Sequence, residues 1–368
     1  MKTMSRLIYV EVAYAVALVT LGFISLFLFF DVVAEIQSVG RHATQGYSLL
    51  KAMLYVALLL PTHLYELLPI TVLIGTIFVM ARLAQSSEFT ILRTSGLGPW
   101  RALRTMLWIG VVFAVITFAL GDYVSPASDR TAQLLKAQFT GRITDVQTGA
   151  WLKDRQAQSQ FSVNVKTISS DSQLQGIRIF ELDSHGFVKS TLQAQSAEVN
   201  MDGSWTLNQV QRTDFPDGKN QTLAVVRSEK SSMLWPNLIS AEMVSAALLK
   251  PERMSTLDLF RYIQHLNANE QSAQKFEIVF WKKVFYPLSC LVMVVLALPF
   301  AYLHFRSGSI ATFVFGGVVA GISFFLMNNM FGYMGSLHNW LPWLAAALPG
   351  LIYTAISLTA FGWLVLRR

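Results

Sequence analysis

The chain has 368 residues, of which 53% are hydrophobic and only 14% charged, more apolar surface than a soluble fold of this length can bury. Its formal charge of +7 comes from 29 Lys and Arg that gather at the borders of apolar runs, with no basic stripe of interleaved aromatics, which argues against nucleic acid as a partner. The single cysteine, Cys290, excludes an intrachain disulfide and a cysteine-rich metal site.

Residues 7–30 form an apolar run longer than a signal-peptide core, ending in Asp31 without a small-residue cleavage pattern, and read as a retained first span. Residues 49–60 are apolar but too short to cross; Pro61 ends the run, which either lies near the interface or extends the next span. Spans two and three follow at 67–83 and 103–124. The stretch from about Ser125 to Lys275 is polar and strand-like. Phe161, Val163 and Val165, then Ile177 and Ile179, then Trp205 and Leu207 alternate between turn signals such as Asp202-Gly203. That pattern predicts antiparallel strands in a sandwich or jelly roll. Beyond Pro251, the spacing of Leu257, Leu259, Phe260, Ile263 and Leu266 predicts an amphipathic return helix over 255–267, capped by Ser255 or Thr256. Spans four, five and six take 284–303, 310–333 and 341–366.

The fold class is therefore a membrane protein: an α-helical six-span bundle, three plus three, with an inserted extracytoplasmic all-β jelly-roll-like domain. The expected domains are 1–125, 126–275 and 276–368. Lys2, Arg6, Arg82, Arg93, Arg101, Arg104, His304, Arg306, Arg367 and Arg368 fall on one side, which the positive-inside rule makes the cytoplasm. Both termini are then inside, with Asp31, Glu35, Asp122 and the β-domain outside.

No phosphate-binding loop is present, because Gly218-Lys219 is followed by Asn220 and lacks the upstream glycine. Nor is there a nucleophile elbow, a paired-His zinc motif or a Cys–His constellation, so no catalytic residue, metal ligand or cofactor site is expected in this chain. The loop after span two predicts a short capped helix over 85–96. Ser86 or Ser87 serves its start, Glu88 complements the helix dipole and Gly96 closes the end. Its apolar Phe89, Ile91 and Leu92 either dip into lipid headgroups or seat in a soluble partner.

Several cations stand outside, against the positive-inside trend: Arg41 and Lys51, Arg130 and Lys136, then Lys275, Lys282 and Lys283. They either neutralise an anionic headgroup or snorkel to water. Gly317 and Gly321 in span five allow two helices to approach closely. Asn328 and Asn329 are costly in lipid and place that part of the span against protein or a cavity. Glu11 is either a buried functional carboxylate or an interfacial one.

Three function classes remain open on these residues alone: a permease driven by a separate motor, a scaffold or sensor with a ligand-binding outer domain, and a secondary transporter. The last normally shows repeated halves and mid-membrane ionisable groups, and neither is clear here.

The segment from Leu83 through Glu88 to Thr94-Ser95-Gly96, the turn Leu298-Pro299-Phe300 to Arg306-Ser307-Gly308, and the return helix followed by Phe280-Trp281-Lys282-Lys283 and Pro287 together resemble the lipopolysaccharide export permeases, the LptF/LptG family. The resemblance covers essentially the whole chain and favours the LptG branch, with the LptF-type subunit as the alternative within the same complex. It implies a Gram-negative inner-membrane subunit of an ABC transporter that pairs with an LptF-like permease on an LptB-like ATPase dimer, joined by an LptC-like bitopic protein. ATP and Mg are bound by the partner ATPase, and the substrate is lipopolysaccharide taken from the outer leaflet. Carried over by position, Glu88, Phe89, Ile91, Leu92, Arg93 and Gly96 form the ATPase-coupling helix. Lateral gates run along spans one and five, which here offer Phe27, Phe30, Phe313, Gly317 and Gly321. Headgroup contacts fall on Lys136 and Arg41, with Arg130, Lys282 and Lys283 as further candidates, whereas Thr62 and Gln133 stand where the family places bases.

Overall fold

The computed structural model describes residues 2–86, 98–140, 149–156, 159–168, 173–183, 187–200, 204–216, 225–236, 244, 251–269, 271–302 and 310–366. Six of its helical segments are long and apolar enough to cross a membrane, which makes this a multi-pass membrane protein. Helix α1 is Lys2–His42, α2 is Leu49–Gln85, and α3 is Pro99–Ala119. A π turn at Leu120–Val124 joins α3 to α4, Ser125–Thr140. After the strands come α5, Thr256–Ala268, and α6, Gln274–Phe285, which runs through a 3-10 turn into α7, Ser289–Ala297. The last two spans are α8, Ile310–Leu337, and α9, Pro342–Leu366.

The expected spans are all present, and the apolar run at 49–60 resolves in favour of an extension of span two. Helix α2 passes through both Pro61 and Pro69 without ending. In water each proline would break the helix, but in a bundle neighbouring helices re-satisfy the freed carbonyls. Ser128 Oγ of α4 donates to the Leu58 carbonyl at 2.6 Å, a contact from a neighbouring helix to α2 one turn before Pro61.

The chain divides into two compact units. The first comprises residues 1–35, 56–128 and 274–368. Its core is built on α2, whose most apolar window is 83% buried, whereas the corresponding window of span one is only 11% buried. Span two is thus the central post and span one is peripheral. Ile8, Val12 and Val16 of α1, Val72, Val79 and Met80 of α2, Met106 of α3 and Val294 of α7 share one buried cluster.

The second unit, 36–55 and 129–273, holds the β-domain. Its strands are β1 Ala150–Gln156, β2 Ser159–Ile168, β3 Leu174–Leu182, β4 Val188–Val199, β5 Trp205–Asp214 and β6 Val226–Trp235. They pair antiparallel in sequence order, so among the described residues the jelly-roll-like domain is a single up-and-down sheet. Register is fixed by one apolar face. Leu152 stands opposite Val163, Val163 opposite Ile179, and Ile179 opposite Leu192, and all four are buried. Trp205 pairs with Trp235 across β5 and β6, edge to face at 5.4 Å.

The return helix α5 has the cap expected from its sequence. The Ser255 hydroxyl accepts the backbone N–H of Asp258 at 3.1 Å and donates to the Asp258 carboxylate at 2.7 Å. Its buried stripe is Leu259, Tyr262, Ile263 and Leu266, and burial pushes the Tyr262 phenol up to about 12.

Candidate transport site

In the first unit, polar side chains join the spans pairwise. His63 Nε2 lies 2.6 Å from Asp31 Oδ2, linking α2 to α1, and the Phe27 ring lies tilted against the imidazole with ring centroids 5.1 Å apart. Thr62 meets Ser125 at 2.7 Å, linking α2 to α4. Tyr286, beyond α6, donates to the Glu66 carbonyl of α2, and its ring lies 5.0 Å from that of Tyr65. Lys283, only 8% exposed, donates to the Gly121 carbonyl at 3.2 Å. That carbonyl lies in the π turn, where helix hydrogen bonding is out of register and an oxygen is available to a side chain. Toward the other end of the spans, Arg82 Nη2 stands 2.6 Å from Glu11 Oε1, so the Glu11 carboxylate is ion-paired to the end of α2.

The two lysines of the aromatic segment therefore have different surroundings. Lys283 turns inward to α3, whereas the Lys282 ammonium occupies the place that a Cβ on Gly332 of α8 would take. Neighbouring residues on a helix project about 100° apart, which sends them to different neighbours.

Span five lies against span two through its glycines. A Cβ on Gly317 would stand 2.7 Å from Ile77 Cδ1, and one on Gly321 would stand 2.9 Å from Ile70 Cγ2. Both positions are buried within the chain's own packing. Phe313 lies at the start of α8 against Phe300, with ring centroids 5.9 Å apart, and Phe30 is 59% exposed on the periphery of span one. An apolar cavity of about 470 Å³ lies between α1 and α3, lined by Tyr9, Ala13, Trp108, Val112 and Phe113.

In the second unit, Lys51 donates to the Gly46 carbonyl at 2.9 Å and sits over the Phe139 ring at 4.1 Å, while Lys136 sits over Tyr55 at 4.6 Å. These are cation–π contacts between α2 and α4. Arg41, exposed, donates to the Gln37 carbonyl one turn earlier at 3.3 Å, and Arg130 is also exposed. Glu88, Phe89, Ile91, Leu92, Arg93 and Gly96 lie outside the described residues. Among the described residues no cluster of His, Cys, Asp or Glu is arranged to hold a metal.

The His63–Asp31 and Glu11–Arg82 pairings are inter-span contacts that the sequence did not give away. Each joins residues far apart in the chain, and no local spacing announces them.

Six spans arranged three plus three around an inserted antiparallel sheet define the class: a multi-pass membrane protein with a folded extramembrane domain between its third and fourth spans. The family model for the lipopolysaccharide export system permease LptF/LptG matches residues 6–366, and the chain belongs to that family. It is 26% identical over 332 residues to the lipopolysaccharide export system permease protein LptG of Escherichia coli strain K12, covering 89% of each chain. To the protein of the same name from Haemophilus influenzae it is 24% identical over 369 residues, covering 100% of this chain and 99% of the relative.

Proposed function

We propose that the chain is the LptG-type permease half of an ATP-driven exporter that draws lipopolysaccharide from the outer leaflet of the bacterial inner membrane and hands it to a periplasmic bridge. The observation that carries this reading is whole-chain agreement with the family, residues 6–366, together with relatives that bear the LptG name along nearly their full length. Both termini are cytoplasmic in this reading, following the Lys and Arg distribution, and the sheet β1–β6 is periplasmic.

The partners are an LptF-like permease, an LptB-like ATPase dimer and an LptC-like bitopic protein. ATP and Mg are bound and ATP is hydrolysed by the ATPase, since this chain has no phosphate-binding loop. Glu88, with Phe89, Ile91, Leu92, Arg93 and Gly96, receives the motor's stroke. Phe27 and Phe30 on span one and Phe313 on span five line the lateral gates. The light internal burial of both spans, 11% and 17% of their apolar windows, supports that role, because a gate helix needs a face free of its own chain. Gly317 and Gly321 hold span five to span two; Phe313, one turn before Gly317 and against Phe300, borders that packed face, and the free face bears Phe315 and Val319, which are 68% and 51% exposed. Lys136, Arg41 and Arg130 meet the lipid phosphates.

The test is reconstitution with copurified partners. Glu88→Lys should abolish ATP-dependent release of lipopolysaccharide, and unchanged assembly with unchanged release would sink the docking assignment. Photocrosslinkers at Phe27 or Phe313 should capture lipopolysaccharide, and labelling of bulk phospholipid alone would count against the gate.

A further inference from the structure

The cavity between spans four, five and six has a composition that the substrate path does not use. It measures about 240 Å³ and is lined by Lys282, Leu288, Phe324, Asn328, Gly350 and Leu351, among others. The Lys282 side chain lies against Gly332, five residues before the end of α8, so the charge sits at one end of the cavity. Much of the remaining wall is apolar, with Phe285, Leu288, Val292 and Phe324 contributing to it. Three hydroxyls also line the cavity, and each is committed within the chain: Tyr286 to the Glu66 carbonyl, Ser289 to the Tyr286 carbonyl and Thr354 to the Gly350 carbonyl. Asn328 has no such bond among the described residues. A half-buried amide that lines an open cavity within a membrane span is placed to donate to a ligand that carries acceptors.

We propose that this cavity is a structural binding site for an anionic glycerophospholipid. Its phosphate meets Lys282, its ester carbonyl accepts from the Asn328 amide, and the upper part of one acyl chain fills the slot between Leu288, Phe324 and Leu351. Charge supports an anionic headgroup, because Lys282 is the one charged side chain among the described residues that line the cavity. Size points to a phospholipid, since a slot of about 240 Å³ takes part of one chain and has no room for the several chains of a lipopolysaccharide. Leu288 and Leu351, 50% and 56% exposed, leave the cavity open at its side, the direction from which a bilayer lipid enters. The site is separate from the gate spans' free faces and does not depend on the direction of transport.

The experiment uses the full chain purified with its partners into nanodiscs of phosphatidylglycerol and phosphatidylethanolamine, with retained lipid identified by native mass spectrometry. Phosphatidylglycerol should be retained by the parent protein, and Lys282→Gln should lower its retention about tenfold, as expected for one charge-assisted hydrogen bond. Gly350→Leu should abolish retention while leaving the fold intact, because a Cβ at Gly350 meets nothing within 4 Å and the new side chain grows into the cavity. A photocrosslinker at Leu351 should label phosphatidylglycerol. Unchanged retention in both variants would overturn the proposal. So would labelling at Leu351 of lipopolysaccharide or of a partner protein in place of phospholipid.

Discussion

Lys283 reaches from α6 to the carbonyl of Gly121 at 3.2 Å, and through that bond the fourth span is fastened to the π turn that ends the third. Lys283→Met keeps the apolar stem and removes the donor. The Gly121 oxygen is then buried without that partner, at a cost of about 1–3 kcal/mol. A lowered midpoint of thermal unfolding in detergent is expected, and an unchanged midpoint would show that water replaces the ammonium.

At the crossing of spans two and five, Gly317→Ala places a methyl 2.7 Å from Ile77 Cδ1. The expected loss is about 1–3 kcal/mol from overpacking. Ile77→Val on its own should be mildly destabilising, but combined with Gly317→Ala it should recover part of the loss. A double-mutant cycle on unfolding midpoints measures that coupling; strict additivity would mean that the helices shift apart freely.

Exchanging the charges of Glu11 and Arg82, 2.6 Å apart, gives a second cycle. Glu11→Lys alone should lower expression and stability because it sets two cations side by side. The swap Glu11→Lys with Arg82→Glu should restore both. The coupling should be modest, about 0.2–1 kcal/mol, because Arg82 is nearly half exposed.

Asp31→Ala removes the acceptor of His63 on a span with little other internal burial. A spin label at the exposed Phe30 should report greater mobility of that stretch of α1 in the variant. Identical spectra would mean that the contact of Phe27 with His63 suffices to hold it.

Ser255→Ala deletes the cap of α5 and should cost about 1 kcal/mol of local stability. Faster amide exchange at Asp258 and Leu259, with the sheet unaffected, is the expected signature.

The features legible in the sequence are those carried by local rules. A span is a run of apolar residues and a cap is a serine three residues before the amide that donates to it, so the six spans and Ser255 could be read directly. Pro61 misled as a helix stop because the rule assumes that water is the competing partner, whereas α2 runs through it inside a bundle of helices. The π turn at 120–124 has no motif of its own. Lys282 and Lys283 looked alike as neighbours in the chain, yet one hydrogen-bonds a backbone oxygen and the other lines a cavity. The Glu11 carboxylate, open between two readings, is ion-paired to a residue 71 positions away, which no local spacing could announce.

The π turn also acts as a counting device. It is one residue more than a regular helix would use, and each residue advances a helix by about 100°. Thr62 meets Ser125, and the Leu58 carbonyl meets Ser128, only because that surplus residue is present. Deleting a single amino acid anywhere in Leu120–Val124 would leave composition and hydropathy almost untouched, yet it would swing Ser125 and Ser128 about a quarter-turn away from span two. The phase of this span is therefore encoded in its length, and a one-residue gap there in an alignment of relatives would signal a re-aimed helix even where every other residue agreed.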